Sequence, residues 1–202
     1  MKNLITKRES ATREGIIAEA LALASEEGWK KVTVRAIASR LGYQPPVLYQ
    51  FFKNKDDLIR SILLEGFEKL SETMNSAKDS AGDAEQKLLE MTKARFRFAV
   101  DHAALHSLMF TTNNPTWFKE TVFSGMCQNR ENVASIIREI SGRTDECLDL
   151  VTNFISIIKG YTFFATELPP HLSAARFFGE QDPEEALAEA MKKFIKSIRT
   201  HD

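Results

Sequence analysis

The sequence predicts an all-α fold: an N-terminal three-helix head with a helix-turn-helix, followed by a larger C-terminal helical bundle. Apolar residues recur at spacings of three and four along nearly the whole chain. No segment alternates apolar and polar residues in the way that a half-buried strand does. Glycines, prolines and N-capping residues fall between the periodic segments. We place the domain boundary between residues 1–53 and residues 54–202.

The first helices are marked by their capping residues. An apolar stripe that includes Ile16, Ala20 and Leu23 predicts a helix, which Gly28 ends. Thr33 is a suitable N-cap for the segment "VRAIASRL", which Gly42 closes. A long helix then begins after Asn54, and the acidic residues in its first turn favour the positive end of the helix dipole.

The C-terminal body is predicted to contain five helices. Residues 76–84 are small and polar and form a predicted loop. The predicted helices cover residues 85–101, 103–111, 115–140, 145–167 and 184–199, with a turn at 112–115 and a linker at 168–183.

Composition excludes several classes of protein. Of the 202 residues, 43% are apolar and 27% are charged, which is typical of soluble globular domains. The only cysteines, Cys127 and Cys147, form no CxxC motif, so neither a disulfide framework nor a cysteine zinc site is expected. The N-terminus has no signal-peptide core, and polar residues interrupt the most apolar segment, 148–168. We expect a cytoplasmic protein without a membrane span and without a cofactor.

Charge is distributed unevenly along the chain. Residues 1–60 contain 11 basic and 7 acidic residues, whereas residues 61–202 contain 16 basic and 21 acidic residues. A basic head on an acidic body is expected where only the head meets a polyanion such as DNA.

Pro45 and Pro46 mark the start of a helix. Proline is tolerated in a first helical turn, where the N–H groups have no intrahelical acceptor. We therefore predict a short helix over residues 45–52 with Gln44 at its N-cap, preceded by a turn at 42–44. Helix, turn and helix together have the geometry that inserts a second helix into the DNA major groove. A simple helical hairpin is the alternative interpretation.

Several motifs in residues 10–60 occur at fixed spacing. They are Ala20, the pair Gly28–Trp29, "TVRAIASRLG" at 33–42 and "VLYQFFKNKDDLI" at 47–59. These residues resemble the DNA-binding head of TetR-family transcriptional regulators. The resemblance implies a homodimer on an inverted-repeat operator, a body that senses a small molecule, and dimerisation through the last two helices. One departure is the turn, where the frequent Gly-Val-Ser of the family is Gly42–Tyr43–Gln44 here.

Contacts to DNA are predicted from residue chemistry. Glutamine pairs with the N6 and N7 edge of adenine, and proline rings contact thymine methyl groups. Hydroxyl and ammonium groups near helix N-termini bind phosphates. Arg35 fits either a phosphate contact or a solvated face, and four apolar residues of the head are assigned to the core: Ile37, Leu41, Leu48 and Phe52. The predicted DNA-binding residues are Thr33, Arg35, Tyr43, Gln44, Pro45, Tyr49, Lys53 and Lys55.

The body is rich in aromatic residues, since 12 of the 14 phenylalanines follow residue 60. This enrichment fits either a packed core or an apolar pocket between helices. Lys159 is a candidate to meet an acidic ligand group if it faces inward. The predicted ligand-binding residues, chosen by type and helix position, are Phe96, His102, Phe110, Trp117, Phe118, Phe154 and Tyr161.

Other functions find less support in the sequence. His102 and His106 are spaced to share one helix face as metal ligands, but no third ligand has suitable spacing, so we expect no metal site. The segment 99–110 resembles one C-terminal subgroup of the family, yet "ISIIKG" at 155–160 lacks the aromatic residue and the histidine usual there. No glycine-rich phosphate loop and no GxSxG motif occur, so we expect no enzyme. The predicted function is a TetR-like repressor released from its operator by a small, mostly apolar molecule. The alternative is a helical ligand- or partner-binding protein without sequence-specific DNA function.

Overall fold

A computed structural model describes residues 2–110, 116–168 and 175–199, and for residues 2–12, 116–128 and 175–176 it describes the backbone only. Every regular element in these residues is a helix, so the predicted all-α class is confirmed for them. The helices in chain order are α1 Lys2–Glu27, α2 Val34–Leu41, α3 Pro45–Leu48, α4 Lys55–Asp79, α5 Ala84–Asp101, α6 Ala103–Phe110, α7 Thr116–Ser141, α8 Leu148–Thr166, α9 Ala175–Phe178 and α10 Pro183–Ile198.

The chain packs as two compact units. The head unit consists of Met1–Gly66 together with Ala104–Val122, and the body unit consists of Phe67–Ala103 together with Phe123–Asp202. The boundaries between the units therefore fall within α4 and α7 and near the start of α6. The predicted domain boundary between residues 53 and 54 was based on sequence motifs and differs from these packing boundaries. It stays a prediction.

The head core is built from the apolar stripes that the sequence predicts. Ile16, Ala20 and Leu23 of α1 are buried, and Leu58, Ile62 and Leu63 of α4 are buried in the same unit. Burying one such leucine or isoleucine side chain stabilises the fold by about 1.5–3 kcal/mol. Of the four apolar residues assigned to the core, three are buried, namely Ile37, Leu48 and Phe52. The fourth, Leu41, is half-buried.

Two predicted boundaries in the first half of the chain differ from the structure. The helix predicted over 45–52 ends at Leu48, and residues 49–51 form turns in which the Phe51 and Phe52 amides donate to the Leu48 carbonyl. These turns place the buried Phe52 two residues before Asn54, the residue that caps α4. The loop predicted over 76–84 is shorter, because α4 continues to Asp79 and the Asp83 carboxylate accepts from the Gln86 amide at the start of α5.

The body unit is organised around α5, α8 and α10, which pack against one another. α8 begins later than predicted, after Cys147, whose φ of 49° lies in the left-handed region. α10 begins one residue earlier than predicted, and its N-cap Asp182 accepts from the amides of Glu184 and Glu185. α9 lies within the predicted linker. The predicted turn at 112–115 lies outside the described residues.

Candidate functional site

The turn of the helix-turn-helix is fixed by backbone hydrogen bonds around Gly42. Thr33 Oγ1 accepts from the Ala36 amide at 3.1 Å and caps α2, as predicted. At the other end of α2, the Tyr43 amide donates to the Ala38 carbonyl at 2.8 Å. Gly42 has a φ of 72°, and no atom lies within 4 Å of a Cβ built there. The position requires glycine because of its backbone conformation and not because of crowding.

The N-terminus of α3 presents polar and apolar groups together. Gln44 is the N-cap, and its exposed side chain makes no capping hydrogen bond. Pro45 and Pro46 occupy the first turn of α3, as predicted. Tyr43 is 41% exposed and Tyr49 is 54% exposed. This end of α3 therefore has the composition of a surface that contacts bases.

The N-terminus of α4 combines two lysines with the acidic Asp56 and Asp57 of its first turn, and phosphate binding there stays a prediction. The Asp57 amide donates to Asn54 Oδ1, and the Lys53 amide donates to Asp57 Oδ2, each at 2.9 Å. These two bonds order residues 53–57, which include the exposed Lys53 and the half-buried Lys55. Helix N-termini favour anions, and two ammonium groups add to that preference.

The eight predicted DNA-binding residues all lie in the head unit. They occupy the N-terminus of α2, the turn with α3, and the N-terminus of α4. Thr33, Arg35, Tyr43, Gln44, Tyr49 and Lys53 are exposed, whereas Pro45 and Lys55 are half-buried. Their accessibility allows contact with a macromolecule, and the assignment of each contact stays a prediction.

Arg40 links the C-terminal turn of α2 to α1. Its guanidinium donates to Glu19 and to both carboxylate oxygens of Glu26, the latter at 2.6 and 3.1 Å. These partners raise the pKa of Arg40, and the same hydrogen bonds lower the pKa of Glu26. Arg13 of α1 adds a second link, since its guanidinium lies 4.7 Å from the centre of the Phe52 ring. α1 therefore holds α2 and the segment after α3 in position.

The predicted ligand residues are distributed over both units. Phe96 and Phe154 are buried in the body unit, which fits a core as well as a pocket wall. His102 is half-buried beside Phe98, and the Tyr161 ring stacks on Phe178 with centroids 5.5 Å apart. Phe110 is assigned to the head unit, next to His106, and the side chains of Trp117 and Phe118 lie outside the described residues.

Two features of the structure were not anticipated from the sequence. The Trp29 indole donates to the Ala104 carbonyl at 2.8 Å, which joins the exit of α1 to α6 within the head unit. Arg95 lies in the apolar stripe of α5, between Met91 and Ala99, and burial lowers its pKa to about 10. The signal for Arg95 was present in the sequence, as a charged residue at a position that the helical period assigns to the core.

Metal and membrane features give no further site. Within the described ranges, no three histidine, cysteine or acidic side chains are grouped so as to hold a metal ion. Among the same residues, no helix combines the length and the apolar content needed to cross a bilayer.

Comparison with known proteins identifies the head. Residues 16–62 match the family model described as bacterial regulatory proteins, tetR family. The head of the chain is a TetR-family DNA-binding head. This match covers the helix-turn-helix and the first part of α4, the same segments whose motifs carry the resemblance in the sequence.

Relatives of this chain align with it over different lengths. Tetracycline repressor protein class C of Escherichia coli is 34% identical over 99 residues, which cover 47% of this chain and 44% of the repressor. The chain thus aligns with less than half the length of that relative. The probable HTH-type transcriptional regulator YttP of Bacillus subtilis is 23% identical over 200 residues, covering 95% of this chain and 96% of YttP. The TetR-family regulator PfmR of Thermus thermophilus shares the fold, with a TM-score of 0.69 at 18% identity, over 92% of this chain and 96% of PfmR.

Proposed function

We propose that this chain is a DNA-binding transcriptional regulator that acts as a homodimer on an inverted-repeat operator. The observation that carries the proposal is the helix-turn-helix, in which a capped α2 and a left-handed Gly42 present exposed Tyr43 and Gln44 at the start of α3. The match of residues 16–62 to the tetR family model supports it. Such a role requires access to DNA, so we place the protein in the cytoplasm and assign it no catalytic activity.

Each part of the head surface has a proposed task. Thr33, Tyr49 and the lysines at the start of α4 contact phosphates, which position the protein and make its affinity depend on salt. Gln44 contacts a base edge, and Pro45 and Tyr43 add apolar contacts beside it. Arg35 is exposed at the first turn of α2. Its proposed task is also a contact with a DNA phosphate.

The test is a binding measurement on duplexes selected from a pool with a randomised centre. The selected duplex is expected to contain an inverted repeat, and affinity is expected to fall steeply as salt concentration rises. Lys55→Ala should weaken binding to all duplexes equally and lower the slope of log K against log salt by about 1. Lys192→Ala is the control, because Lys192 lies in the body unit and pairs with Glu189 at 2.7 Å. A protein that selects no duplex would favour the alternative of a helical ligand- or partner-binding protein.

The dimer is proposed to form through α8. Leu148 and Phe163 are 50% and 45% exposed at its two ends, and exposed Thr152, Ser156 and Lys159 follow the same face between them. Two exposed apolar side chains at the ends of one face, with the small Thr152 and Ser156 between them, suit close approach of a second copy. α10 contributes less than the sequence indicates, since Phe194 and Ile195 are buried within the unit.

Sedimentation tests the dimer. A charge at an exposed end of α8, as in Phe163→Asp, should give monomers at micromolar concentration while the helical content stays unchanged. Ile195→Asp is expected instead to unfold the body, because it places a charge in the core. A monomeric wild-type protein would contradict the proposed interface.

The regulatory signal is proposed to be a small, mostly apolar molecule that binds the body and releases the operator. A relative that is 34% identical over 47% of this chain is a tetracycline repressor, which supports the repressor assignment. α4 contributes residues to both units, so a change in the body that moves α4 changes the spacing of the two heads of a dimer. Two heads dock only when their spacing matches that of the half-sites. A 100-fold release requires about 2.7 kcal/mol of coupling between ligand and DNA.

A thermal-shift screen of apolar metabolites, followed by operator release assays with each hit, tests the signal. Phe154→Ala should change the response to a hit and leave the affinity of the ligand-free protein for DNA nearly unchanged. If Phe154→Ala abolishes folding and DNA binding together, the side chain belongs to the core and the pocket assignment fails.

A further inference from the structure

Two pairs of polar side chains join α4 to α7 within the body unit. Ser71 Oγ of α4 donates a hydrogen bond to Asn129 Oδ1 of α7 over 3.1 Å. One turn further along both helices, Asn132 Nδ2 of α7 donates to Asn75 Oδ1 of α4 over 3.2 Å. Because the pairs follow one another in the same order on the two helices, they form a short ladder, the α4–α7 ladder.

The α4–α7 ladder lies among buried apolar side chains. Asn129 is 6% exposed, and the other three members are half-buried. Met74, between the two ladder residues of α4, is buried, and so is Val133, which follows Asn132 on α7. Polar groups in such surroundings are costly unless they are hydrogen-bonded. Apolar partners of similar shape would hold the two helices together about as well, so stability alone does not account for the ladder.

Polar pairs differ from apolar contacts in how strictly they fix the register of two helices. Apolar side chains tolerate small displacements, whereas a hydrogen bond weakens once donor and acceptor separate beyond about 3.2 Å. A single buried asparagine fixes helix register in coiled coils for this reason. A slip of α4 by one turn would bring Lys78 to the place of Met74, so the ladder and the apolar contacts around it favour the same register.

The angle of α4 at the ladder determines where its other end lies. α7 is anchored in the core of the body unit, where Val133, Ile136 and Ile137 are buried. α4 begins in the head unit at Lys55, about 24 Å along the helix from Ser71 at about 1.5 Å per residue. A tilt of about 10° at the ladder displaces that end by about 4 Å, close to the rise of about 3.4 Å per base pair.

We propose that the α4–α7 ladder positions α4 for DNA recognition: its two hydrogen-bonded pairs hold α4 at the angle that gives the heads of a dimer the spacing of the operator half-sites. This role rests on the proposed homodimer on an inverted repeat. The ladder residues act through α4 and touch no DNA. Their loss therefore changes how strictly half-site spacing is read, and it leaves the affinity of the head surface for phosphates unchanged.

The test measures operator affinity as a function of half-site spacing. The selected duplex is compared with versions whose centre is longer or shorter by one and by two base pairs, and with an unrelated duplex, by fluorescence anisotropy on the full-length protein. The wild type is expected to lose about tenfold or more in affinity at the altered spacings, because only one head then docks fully.

Double variants remove one pair of the ladder at a time. Ser71→Ala/Asn129→Leu and Asn75→Ala/Asn132→Leu each replace both partners of a hydrogen bond, so neither is left unpaired with the other. Each is expected to bind the selected duplex about fivefold or more less tightly, to bind the altered spacings at least as well as the wild type does, and to bind the unrelated duplex equally. Asn129 also interacts with a further group of the chain, so the second double variant is the cleaner of the two.

Two single variants at neighbouring hydroxyl groups serve as controls. Thr73→Ala is the matched control, since Thr73 lies between Ser71 and Asn75, is half-buried, and donates to the Lys69 carbonyl of its own helix at 2.7 Å. Ser71→Thr keeps the hydroxyl group that pairs with Asn129. Both are expected to keep the spacing profile of the wild type.

Each outcome has a definite meaning. A spacing profile as sharp in both double variants as in the wild type, an equal loss on every duplex, or the same flattening in Thr73→Ala would overturn the inference. If one double variant does not fold, the other decides, and failure of both to fold would assign the ladder to stability and overturn the inference as well. A wild type that selects an inverted repeat but tolerates every spacing defeats this inference alone. A wild type that selects no duplex defeats the proposed function, and this inference with it.

Discussion

Trp29 Nε1 donates a hydrogen bond to the main-chain carbonyl of Ala104 over 2.8 Å, across 75 positions of the chain. Trp29 belongs to the turn that follows α1, and Ala104 lies in the first turn of α6. The bond therefore fixes α6 to the helices of the head unit, to which packing also assigns it.

Loss of this bond should destabilise the protein. Replacing Trp29 with 3-benzothienylalanine keeps the bicyclic ring and removes the N–H, and we expect the free energy of unfolding to fall by about 1 kcal/mol. Urea denaturation measures the change. Tyr49→Phe is the control, because it removes a hydroxyl from a side chain that is 54% exposed. An equal stability of the two variants would show that the Trp29 bond contributes nothing.

The contact between α4 and α6 is close at Gly66. A Cβ at this position would lie 2.9 Å from Leu105 Cδ1 and 3.2 Å from Met109 Sδ. Gly66→Ala has to displace the ends of these two side chains, so it should be less stable than Gly15→Ala by about 1–3 kcal/mol through overpacking. Gly15→Ala is the matched control, since Gly15 lies inside α1 with no atom within 4 Å of its Cβ, and alanine there should stabilise the helix by up to about 1 kcal/mol. Thermal unfolding of both variants distinguishes crowding from helix propensity, and equal stabilisation would contradict the close approach.

The contribution of the Thr33 cap of α2 to stability can also be measured by unfolding. Thr33→Ala removes the acceptor of the Ala36 amide and should cost about 1 kcal/mol of stability, whereas Thr33→Ser should retain most of it. Ser39→Ala, at an exposed position within α2, is expected to change stability little. If Ser39→Ala lowers the Tm as much as Thr33→Ala does, the capping bond is not the cause.

Base recognition is predicted to depend on Gln44. Gln44→Ala should reduce the preference at one base position of each half-site by about 1–3 kcal/mol and leave affinity for unrelated duplexes nearly unchanged. Competition between the selected duplex and single-position variants of it gives the preference. An equal loss on selected and unrelated DNA would refute the specificity role of Gln44.

His102 should make stability depend on pH. Burial lowers its pKa below the ordinary 6.5, the Lys69 ammonium lowers it further, and Asp101 opposes them. The unfolded chain therefore binds a proton at His102 more readily than the folded protein does, so this contribution to stability is present above pH 6.5 and is lost as the pH falls below it.

Thermal unfolding between pH 7.5 and 5.5 checks the His102 contribution. The decrease in Tm over this range should be smaller in His102→Gln than in the wild type. Lys69→Met should raise the pKa of His102 toward its ordinary value, which an NMR titration of the imidazole follows. An unchanged pKa in Lys69→Met would show that Lys69 does not act on His102.

The sequence predicted those features that depend on neighbouring residues. Thr33, Gly42, Asn54 and the proline pair determine where helices begin and end through local hydrogen bonds and backbone conformation, and the structure confirms each. The end of α3 was predicted four residues too late, because the apolar pattern through Phe52 continues although the backbone turns. Apolar residues at spacings of three and four indicate which side chains are buried, but they do not show where the backbone leaves the helix.

Contacts between residues far apart in the sequence could not be predicted from capping residues or apolar spacing. Nothing near Trp29 indicates that its N–H reaches Ala104, since the two are brought together by folding alone. Phe194 and Ile195 illustrate a different limit, because an apolar stripe does not distinguish a residue that packs within its own chain from one that faces a second copy. The exposed ends of α8 at Leu148 and Phe163 became visible only once the accessible surface was known.

The course of α4 bears on how regulators of this kind can be recombined. Its residues Leu58, Ile62 and Leu63 complete the core of the head unit, and Leu70 and Met74 are buried in the body unit. We expect a fragment that stops at residue 53 to expose the apolar surface that these side chains cover, and to aggregate rather than read DNA. A chimera that joins this head to a different body therefore has to carry α4 at least as far as Gly66, together with α6, which belongs to the same unit. Its junction then falls inside a helix, where the helical phase of both parents must match.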